Sequence, residues 1–338
     1  MKKNLILFLS ALCLIGGFQM STFAKGEIMK EKVFYNQTYN NVKIAGELYK
    51  PENFDSTKKY PAIVVVHPAG GVKEQVAGLY AKRLAEKGFI TLAYDAAYQG
   101  ESTGVPHFLE NPASRVEDVR SSVDYLTTLP FIDKENIGVL GICAGGGYAF
   151  NAAETEMRIK AVATVSAFDL GRTRRQGLND SMTLEQHHQK LKEAAEQRTL
   201  EVNGGEVKYN GYVPNSLEEI PEGATTMYRQ GYEYYRVEFA HPRSENKYIF
   251  SNYAQQAAFT AFDRPEFISP RPVMFIVGEN AESAYFSKEA YDKIPENKEY
   301  VVVPKATHIE MYYKPEYVNQ AVEKLTKFYS KNLKQGDK

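Results

Sequence analysis

Apolar and polar residues alternate along residues 32–39 and again along residues 42–49, on either side of Asn40 and Asn41. A period of two places successive side chains on opposite faces of a strand, and an Asn-Asn pair favours a tight turn. The pattern therefore predicts an antiparallel hairpin with one solvent-facing side at the start of the fold.

Continuous apolar runs come next, each bounded by turn-forming residues, and helical patterns separate them. An unbroken apolar run is typical of a strand that is buried on both faces. Alternation of such strands with helices predicts a largely parallel sheet that is covered by helices on both faces. The runs lie at residues 62–66, 89–94, 137–142 and 159–165, and the helical patterns at 73–87, 114–128 and 144–153.

This alternation stops after Asp169 and resumes about 100 residues later, which is longer than ordinary connections. We predict that residues 170–269 form an inserted helical cap, and that residues 25–169 and 270–338 form the core domain. Within the cap, the pattern predicts an amphipathic helix at 184–200, a glycine-rich hairpin at 203–205 and a tyrosine-dense stretch at 228–253. After it, the pattern predicts strands at 272–277 and 300–303 and a helix at 315–332.

The first 24 residues have the features of a secretory signal peptide. Lys2 and Lys3 precede an apolar run at residues 5–18, and the segment closes on the small-x-small triplet at residues 22–24. We therefore predict a cleaved signal at residues 1–24 and a periplasmic or secreted protein. The apolar run is short for a transmembrane helix, so no stable membrane insertion is expected.

The charge balance and the cysteine content narrow the function further. The chain has 41 Lys and Arg against 42 Asp and Glu, a formal net charge of −1 and no basic cluster, so nucleic acid is not an expected partner. Of its two cysteines, Cys13 would leave with the signal, so Cys143 would have no intrachain disulfide partner. No pattern predicts a metal site, a small-molecule substrate is the expected partner, and the oligomeric state stays open.

Cys143 lies in the segment GICAGG at residues 141–146, directly after an apolar run and before a helical pattern. Strand, sharp turn and helix are the context of a nucleophile elbow, where flanking glycines are needed because larger side chains would collide with the neighbouring strand or helix. The pattern predicts Cys143 as an exposed nucleophile. A helix amino terminus and a nearby imidazolium would lower the pKa of its thiol.

His308 follows the last predicted strand, so the chain order is nucleophile, acid, histidine, as in α/β-hydrolases. It is the candidate general base that takes the thiol proton and returns it to the leaving group. The sequence leaves three candidates for the triad acid, because Ala281 stands where an aspartate is commonest in this fold. Glu279 is the first choice, with Asp169 and Glu282 as alternatives.

Backbone amides next to the elbow are the candidate oxyanion hole. We expect the N–H groups of Ala144 and Ala69 to serve as its two donors. Tyr232 and Tyr235 are candidates for substrate contact, with packing of the cap as the other interpretation. Arg243 is a candidate for binding a substrate carboxylate, with a salt bridge as the alternative.

Four segments together resemble the dienelactone-hydrolase-like branch of the α/β-hydrolases: HPAGG at residues 67–71, DAAYQGESTG at 95–104, GICAGGGYA at 141–149 and ATH at 306–308. The resemblance spans nearly the whole chain after the signal. It implies an α/β-hydrolase fold with a mostly parallel eight-stranded sheet, a Cys or Ser nucleophile at position 143 and the terminal histidine at position 308. The chain departs from the branch at Ala281 and in its long cap, so the substrate of that branch is not transferred.

These observations predict an exported hydrolase that cleaves a small or medium ester, lactone or thioester through an acyl-cysteine intermediate and a Cys-His-acid triad. No cofactor is expected, because the thiolate, the base and water suffice. The alternative is a catalytically weak ligand-binding or sensing member of the same fold. Ala281 favours that alternative, because a misplaced acid would leave His308 poorly oriented.

Overall fold

The computed structural model describes residues 28–334. The predicted signal peptide at residues 1–24 lies outside the described residues and stays a prediction. Between residues 28 and 334, no helix is both long enough and apolar enough to cross a membrane. The strands of the described range are β1 (Met29–Asn36), β2 (Lys43–Lys50), β3 (Tyr60–Val66), β4 (Ile90–Tyr94), β5 (Ile132–Ile142), β6 (Ile159–Val165), β7 (Tyr209–Asn210), β8 (Tyr248–Ile249), β9 (Val273–Gly278) and β10 (Lys298–Val303).

Eight of these strands form one sheet in the order β1-β2-β4-β3-β5-β6-β9-β10. β1 and β2 form the predicted antiparallel hairpin, and β2 is also antiparallel to β4, whereas the remaining neighbours are parallel. The predicted mostly parallel eight-stranded sheet is therefore confirmed. Its parallel strands end at one common edge, which is where open α/β sheets bind ligands.

Alternate residues of the buried strands face two separate apolar cores. In β3, Ile63 and Val65 pack into one core and Val64 and Val66 into the other. The α-helices of the described range are α1 (Val76–Ala85), α2 (Pro112–Thr128), α3 (Ala144–Thr155), α4 (Leu170–Gln176), α5 (Leu184–Val202), α6 (Thr226–Tyr232), α7 (Tyr253–Ala258), α8 (Ala284–Lys293) and α9 (Pro315–Asn332). The core that contains Ile63 and Val65 includes side chains of α1 and α9, and the other core includes side chains of α2, α3 and α8, so the prediction of helices on both faces is confirmed.

Residues 170–269, which we call the inserted segment, connect β6 to β9 and contain α4 to α7 together with β7 and β8. The prediction of a hairpin at residues 203–205 is wrong. α5 runs on to Val202 and ends at Asn203, and β7 pairs with the distant β8 instead. This pairing is favoured because Phe250 and Tyr253, which follow β8, pack in one apolar cluster with Ala194 of α5.

Candidate active site

The backbone of Cys143 has the strained geometry of an elbow, with φ 55° and ψ −127°. Hydrogen bonds on both sides hold it there. Its N–H donates to the carbonyl of Val165 over 3.1 Å, and its carbonyl accepts from the N–H groups of Gly146 and Phe168 over 2.8 and 2.9 Å. The residue that follows β5 is therefore fixed at the carboxyl edge of the sheet.

The glycines around Cys143 are required by close backbone contacts. A Cβ atom at Gly145 would lie 2.4 Å from the carbonyl oxygen of Val66 in β3. A Cβ atom at Gly141 would lie 2.4 Å from the carbonyl oxygen of Gly145. α3 can begin this close to the sheet only because neither residue has a side chain. The predicted collision of larger side chains at these glycines is therefore confirmed.

Cys143 is partly accessible and lines a cavity of about 370 Å³ between the edge of the sheet and the inserted segment. Most of its wall is apolar, including Phe168, Leu178 and Met227. Among the described residues that line it, Arg174 is the only Lys, Arg, Asp or Glu. The complete lining consists of Ala69, Cys143, Ala144, Phe168, Leu170, Thr173, Arg174, Leu178, Tyr212, Val213, Pro221, Ala224, Thr225, Met227, Tyr228, Gly231, Tyr235, His308, Ile309 and Tyr312.

His308 lines the same cavity and is almost fully buried. Its Nδ1 lies 2.5 Å from Oγ of Ser283, and its Nε2 lies 2.9 Å from Oη of Tyr312. The hydroxyl of Ser166 donates to its carbonyl oxygen over 3.2 Å. Burial lowers the pKa of His308 to about 3, because a charged ring would lose its hydration. The ring is therefore a neutral base at physiological pH.

The hydroxyl of Tyr312 stands between the thiol and the imidazole. Its oxygen is hydrogen-bonded to Nε2 of His308 over 2.9 Å, and it also interacts with the thiol of Cys143. Within residues 28–334, no direct hydrogen bond joins Cys143 to His308. Burial raises the pKa of the Cys143 thiol to about 11, because the thiolate would lose its hydration. The expected lowering of the thiol pKa is therefore wrong, because desolvation outweighs the helix terminus and the neutral His308 offers no imidazolium.

The structure does not bring Glu279, the first choice for the triad acid, to His308. The Glu279 carboxylate accepts a hydrogen bond from the backbone N–H of Lys305 over 2.8 Å. This bond ties the turn after β9 to the turn after β10 and directs the carboxylate away from the imidazole. Oγ of Ser283 occupies the place on Nδ1 where a triad acid would bind.

The two alternative acids are also engaged elsewhere, each at a helix amino terminus. Glu282 accepts from the backbone N–H groups of Thr226 and Met227 at the start of α6, over 2.9 and 2.7 Å. Asp169 accepts from the N–H of Arg172 over 2.8 Å and so caps α4. Orphan N–H groups in a first helical turn attract carboxylates, and this explains both placements. For residues 28–334, the partners found on the His308 ring include no carboxylate.

The two expected oxyanion donors both line the cavity beside Cys143. Ala144 is the first residue of α3, where an N–H has no intrahelical partner, and in the described part of the chain neither its N–H nor that of Ala69 donates to another backbone group. The loop of Ala69 is held by His67, whose Nε2 accepts a hydrogen bond from the backbone N–H of Ala96 over 3.0 Å. Arg115 donates from Nη2 to the His67 carbonyl over 2.7 Å. These two amides can stabilise a developing oxyanion.

Of the three candidates for substrate contact, the structure brings only Tyr235 to the cavity. The Tyr235 hydroxyl is buried next to Tyr312. Tyr232 is not among the lining residues. Arg243 forms an ion pair with Glu74 and lies 3.8 Å from Glu101, so the salt-bridge alternative describes its position and it does not face the cavity.

Sequence reasoning missed Tyr312, Ser283 and Arg174. Tyr312 lies four residues after His308 at the end of a short 3₁₀ turn, a spacing that could have suggested a contact. Arg174 is in α4, where its Nε donates to Gln256 over 2.9 Å and its guanidinium stacks over Tyr248 at 4.6 Å. Its Nη2 is buried with no hydrogen-bond partner among the described residues. No sequence signal distinguished Arg174 from the other arginines of that helix.

Metal binding finds no support in the described residues, since no group of three His, Cys, Asp or Glu side chains there could hold an ion. The expected lack of a cofactor stays a prediction. What the cavity does contain is a thiol, a neutral imidazole, a bridging phenol and two available amides. This set can perform nucleophilic acyl transfer.

The sequence model of the Dienelactone hydrolase family matches residues 44–196. The Escherichia coli (strain K12) protein YcjY is 38% identical over 309 residues, covering 90% of this chain and 100% of its own length. The crystal structure of the Pseudomonas aeruginosa protein PA2218 superposes with a TM-score of 0.85 at 34% identity, covering 98% of this chain and 100% of that one. The Aspergillus aculeatus thiohydrolase aneE is 32% identical over 128 residues, covering 38% of this chain and 39% of its own length.

Proposed function

The chain belongs to the dienelactone hydrolase family and is a hydrolase that acts on ester bonds, and from this we propose that it cleaves a small or medium ester, lactone or thioester through an acyl-cysteine intermediate. In this proposal Cys143 is the nucleophile and His308 is the general base. Ser283 orients the base in place of a triad acid. Ala69 and Ala144 supply the oxyanion hole.

The observation that carries the proposal is the position of Cys143 on a strained elbow, inside a cavity that also contains His308 and the two available amides. A buried cysteine that served only for packing would need neither the positive φ nor a path to a cavity. The strained backbone persists because three hydrogen bonds hold it, which is typical of a functional turn.

The proposed reaction has two stages, and each of them conserves atoms and charge. In the first, the sulfur of Cys143 bonds to the carbonyl carbon, the thiol proton passes to Nε2 of His308, and the carbonyl pair moves to the oxygen held by the two amides. Collapse breaks the bond to the leaving group, which takes the proton from His308. In the second stage, His308 removes a proton from water, and the hydroxide bonds to the acyl carbon and displaces the sulfur, which takes the proton back from His308 to restore the thiol and the neutral ring.

The cavity limits the substrate. A volume of about 370 Å³ is at the small end for ligand sites, so a small or medium acyl group fits. The mainly apolar wall suits an aliphatic or aromatic chain. Arg174, rather than Arg243, is the cation positioned to bind a substrate carboxylate. The similarity to a thiohydrolase supports thioesters among the substrates.

We further propose that residues 170–269 act as a cap over the core formed by residues 25–169 and 270–338, and that the protein is exported after cleavage at residue 24. The cap role is supported by the lining of the cavity, of which a large part comes from the inserted segment. Export is supported by the composition of the first 24 residues. Fractionation of cells, with sequencing of the mature amino terminus, tests it.

The test of the function uses protein without residues 1–24, in which Cys143 is the sole cysteine. Brief exposure to p-nitrophenyl esters and to aryl thioesters, followed by acid quench and mass spectrometry, should give an acyl adduct on the peptide that contains Cys143. Cys143→Ala and His308→Ala should each lower turnover by at least 100-fold. Turnover that survives Cys143→Ala would rule out the acyl-cysteine route.

A catalytically weak binding protein of the same fold is the second candidate. The raised pKa of the Cys143 thiol favours it, because little thiolate exists at neutral pH. It would bind aryl thioesters and their product acids in the cavity without turnover. Adducts that form on Cys143 and then hydrolyse at the rate of product release would exclude this candidate.

A further inference from the structure

We propose that Tyr312 is a catalytic residue that carries the thiol proton from Cys143 to His308. This inference rests on the proposed function, since it concerns how the acyl-cysteine forms. Its basis is geometric: the phenol oxygen is hydrogen-bonded to the base over 2.9 Å and also interacts with the nucleophile, beside which it lines the cavity. Two side chains that would ordinarily pair directly are joined here through a third group.

The position of Tyr312 is fixed by the core of the protein. Its side chain is 1% exposed, and its ring packs edge-on against Tyr234 with the centroids 5.3 Å apart. The turn that contains it is held by the Tyr80 hydroxyl, which donates to the carbonyl of Met311 over 2.8 Å. The hydroxyl is therefore held in place and is not a mobile surface group that happens to approach the site.

The direction of proton transfer requires one tautomer of His308. If Nδ1–H donates to Oγ of Ser283, then Nε2 has a free lone pair and accepts the hydroxyl proton of Tyr312. The phenol oxygen in turn accepts from the thiol of Cys143. The four side chains of this relay are then all hydrogen-bonded, and all of them are neutral before the substrate binds.

The transfer balances as follows. While the sulfur of Cys143 bonds to the carbonyl carbon, the S–H proton moves to Oη of Tyr312 and the original Oη proton moves to Nε2 of His308. The phenol remains neutral before and after the step. When the leaving group departs, it takes a proton from Oη, and Oη regains one from Nε2. No charge has to persist on the phenol. This matters because burial raises the pKa of Tyr312 well above its usual value.

A double-mutant cycle tests this role. We compare kcat/KM for one neutral aryl ester in wild type, Tyr312→Phe, His308→Ala and the double variant. Tyr312→Phe keeps the ring and its packing but removes the hydroxyl, and a loss of at least 100-fold is expected. Because both residues serve one transfer, the double variant should fall no more than threefold below the poorer single variant.

The control is Tyr313→Phe, which removes a hydroxyl from the next residue, outside the described cavity lining. It should stay within threefold of wild type. Tyr312→Met, which also lacks the hydroxyl, replaces the phenylalanine variant if circular dichroism shows that variant to be unfolded. The rate of Cys143 alkylation by iodoacetamide at pH 8 is a second readout, and it should fall in parallel with kcat/KM.

Three results separate the possible failures. If Tyr312→Phe retains kcat/KM within threefold, or exceeds wild type, the relay is refuted and the phenol is a bystander or a barrier. If the two losses multiply in the double variant, Tyr312 acts independently of His308 and the relay is also refuted. Activity that persists in Cys143→Ala would instead remove the proposed function itself.

Discussion

Lowering the pH from 8 to 5 is expected to leave the acylation of Cys143 almost unchanged. Burial lowers the pKa of His308 to about 3, so only about 1% of the rings would be protonated at pH 5. A histidine with the ordinary pKa of about 6.5 would be about 97% protonated at that pH. The neutral base is therefore about 30-fold more abundant at pH 5 here than in a site with an unperturbed histidine.

The assay is the dependence of kcat/KM on pH, because this ratio reports ionisations of the free enzyme. Release of p-nitrophenol is followed at a wavelength that is independent of its ionisation, and circular dichroism confirms the fold at each pH. Ser283→Asp is the matched variant. It places a carboxylate beside Nδ1 of His308, where the serine oxygen is 2.5 Å away, and a neighbouring negative charge favours the protonated ring.

The direction of the effect is set by the sign of the pKa shift. A lowered pKa keeps the ring neutral as the pH falls, so wild type should show no acid limb above pH 5, whereas Ser283→Asp should gain one at higher pH. A wild-type profile that drops tenfold or more between pH 7 and pH 5, with an apparent pKa near 6.5, would refute a buried neutral base.

Three other outcomes follow from the site. Ser283→Ala should lower kcat/KM about five- to tenfold, the equivalent of one neutral hydrogen bond, and Ser283→Thr should restore it. Arg174→Met should reduce the ratio of kcat/KM for the p-nitrophenyl monoester of adipate to kcat/KM for the neutral 6-methylheptanoate ester by at least about tenfold. Arg172→Met is the control, because Arg172 is in the same helix but outside the described cavity lining, and it should leave this ratio unchanged. Gly145→Ala should reduce the free energy of unfolding in urea by about 2 kcal/mol or more, because its Cβ would lie 2.4 Å from the carbonyl oxygen of Val66; unchanged stability would show that the elbow can relax.

The regular elements could be predicted because their signals are local. The apolar run at Ile159–Val165 and the amphipathic repeat at Pro315–Asn332 coincide with β6 and α9. The elbow at Cys143 was also visible, because a strand and closely spaced glycines are features of a few consecutive residues. The hairpin at residues 203–205 failed because two glycines signal a turn but do not say which strands it joins.

The partners of His308 could not be predicted, because they come together from separate loops. Ser283 is 25 residues away in the chain, and its hydroxyl reaches Nδ1 only because the turn after β9 packs beside the turn after β10. The same packing places the backbone N–H of Lys305 where it donates a hydrogen bond to the Glu279 carboxylate. A sequence shows which carboxylates are near a strand end, but the direction of each side chain depends on the available donors.

The missing acid and the interposed phenol fit a single electrostatic scheme. An aspartate on Nδ1 would stabilise an imidazolium and so favour a thiolate–imidazolium pair before the substrate arrives, and burial opposes such a pair. With Ser283 in that place, Cys143 and His308 both remain neutral. In the proposed relay, the proton leaves the sulfur as the sulfur bonds to carbon, so the negative charge develops on the carbonyl oxygen. That is where the amides of Ala69 and Ala144 are available to receive it.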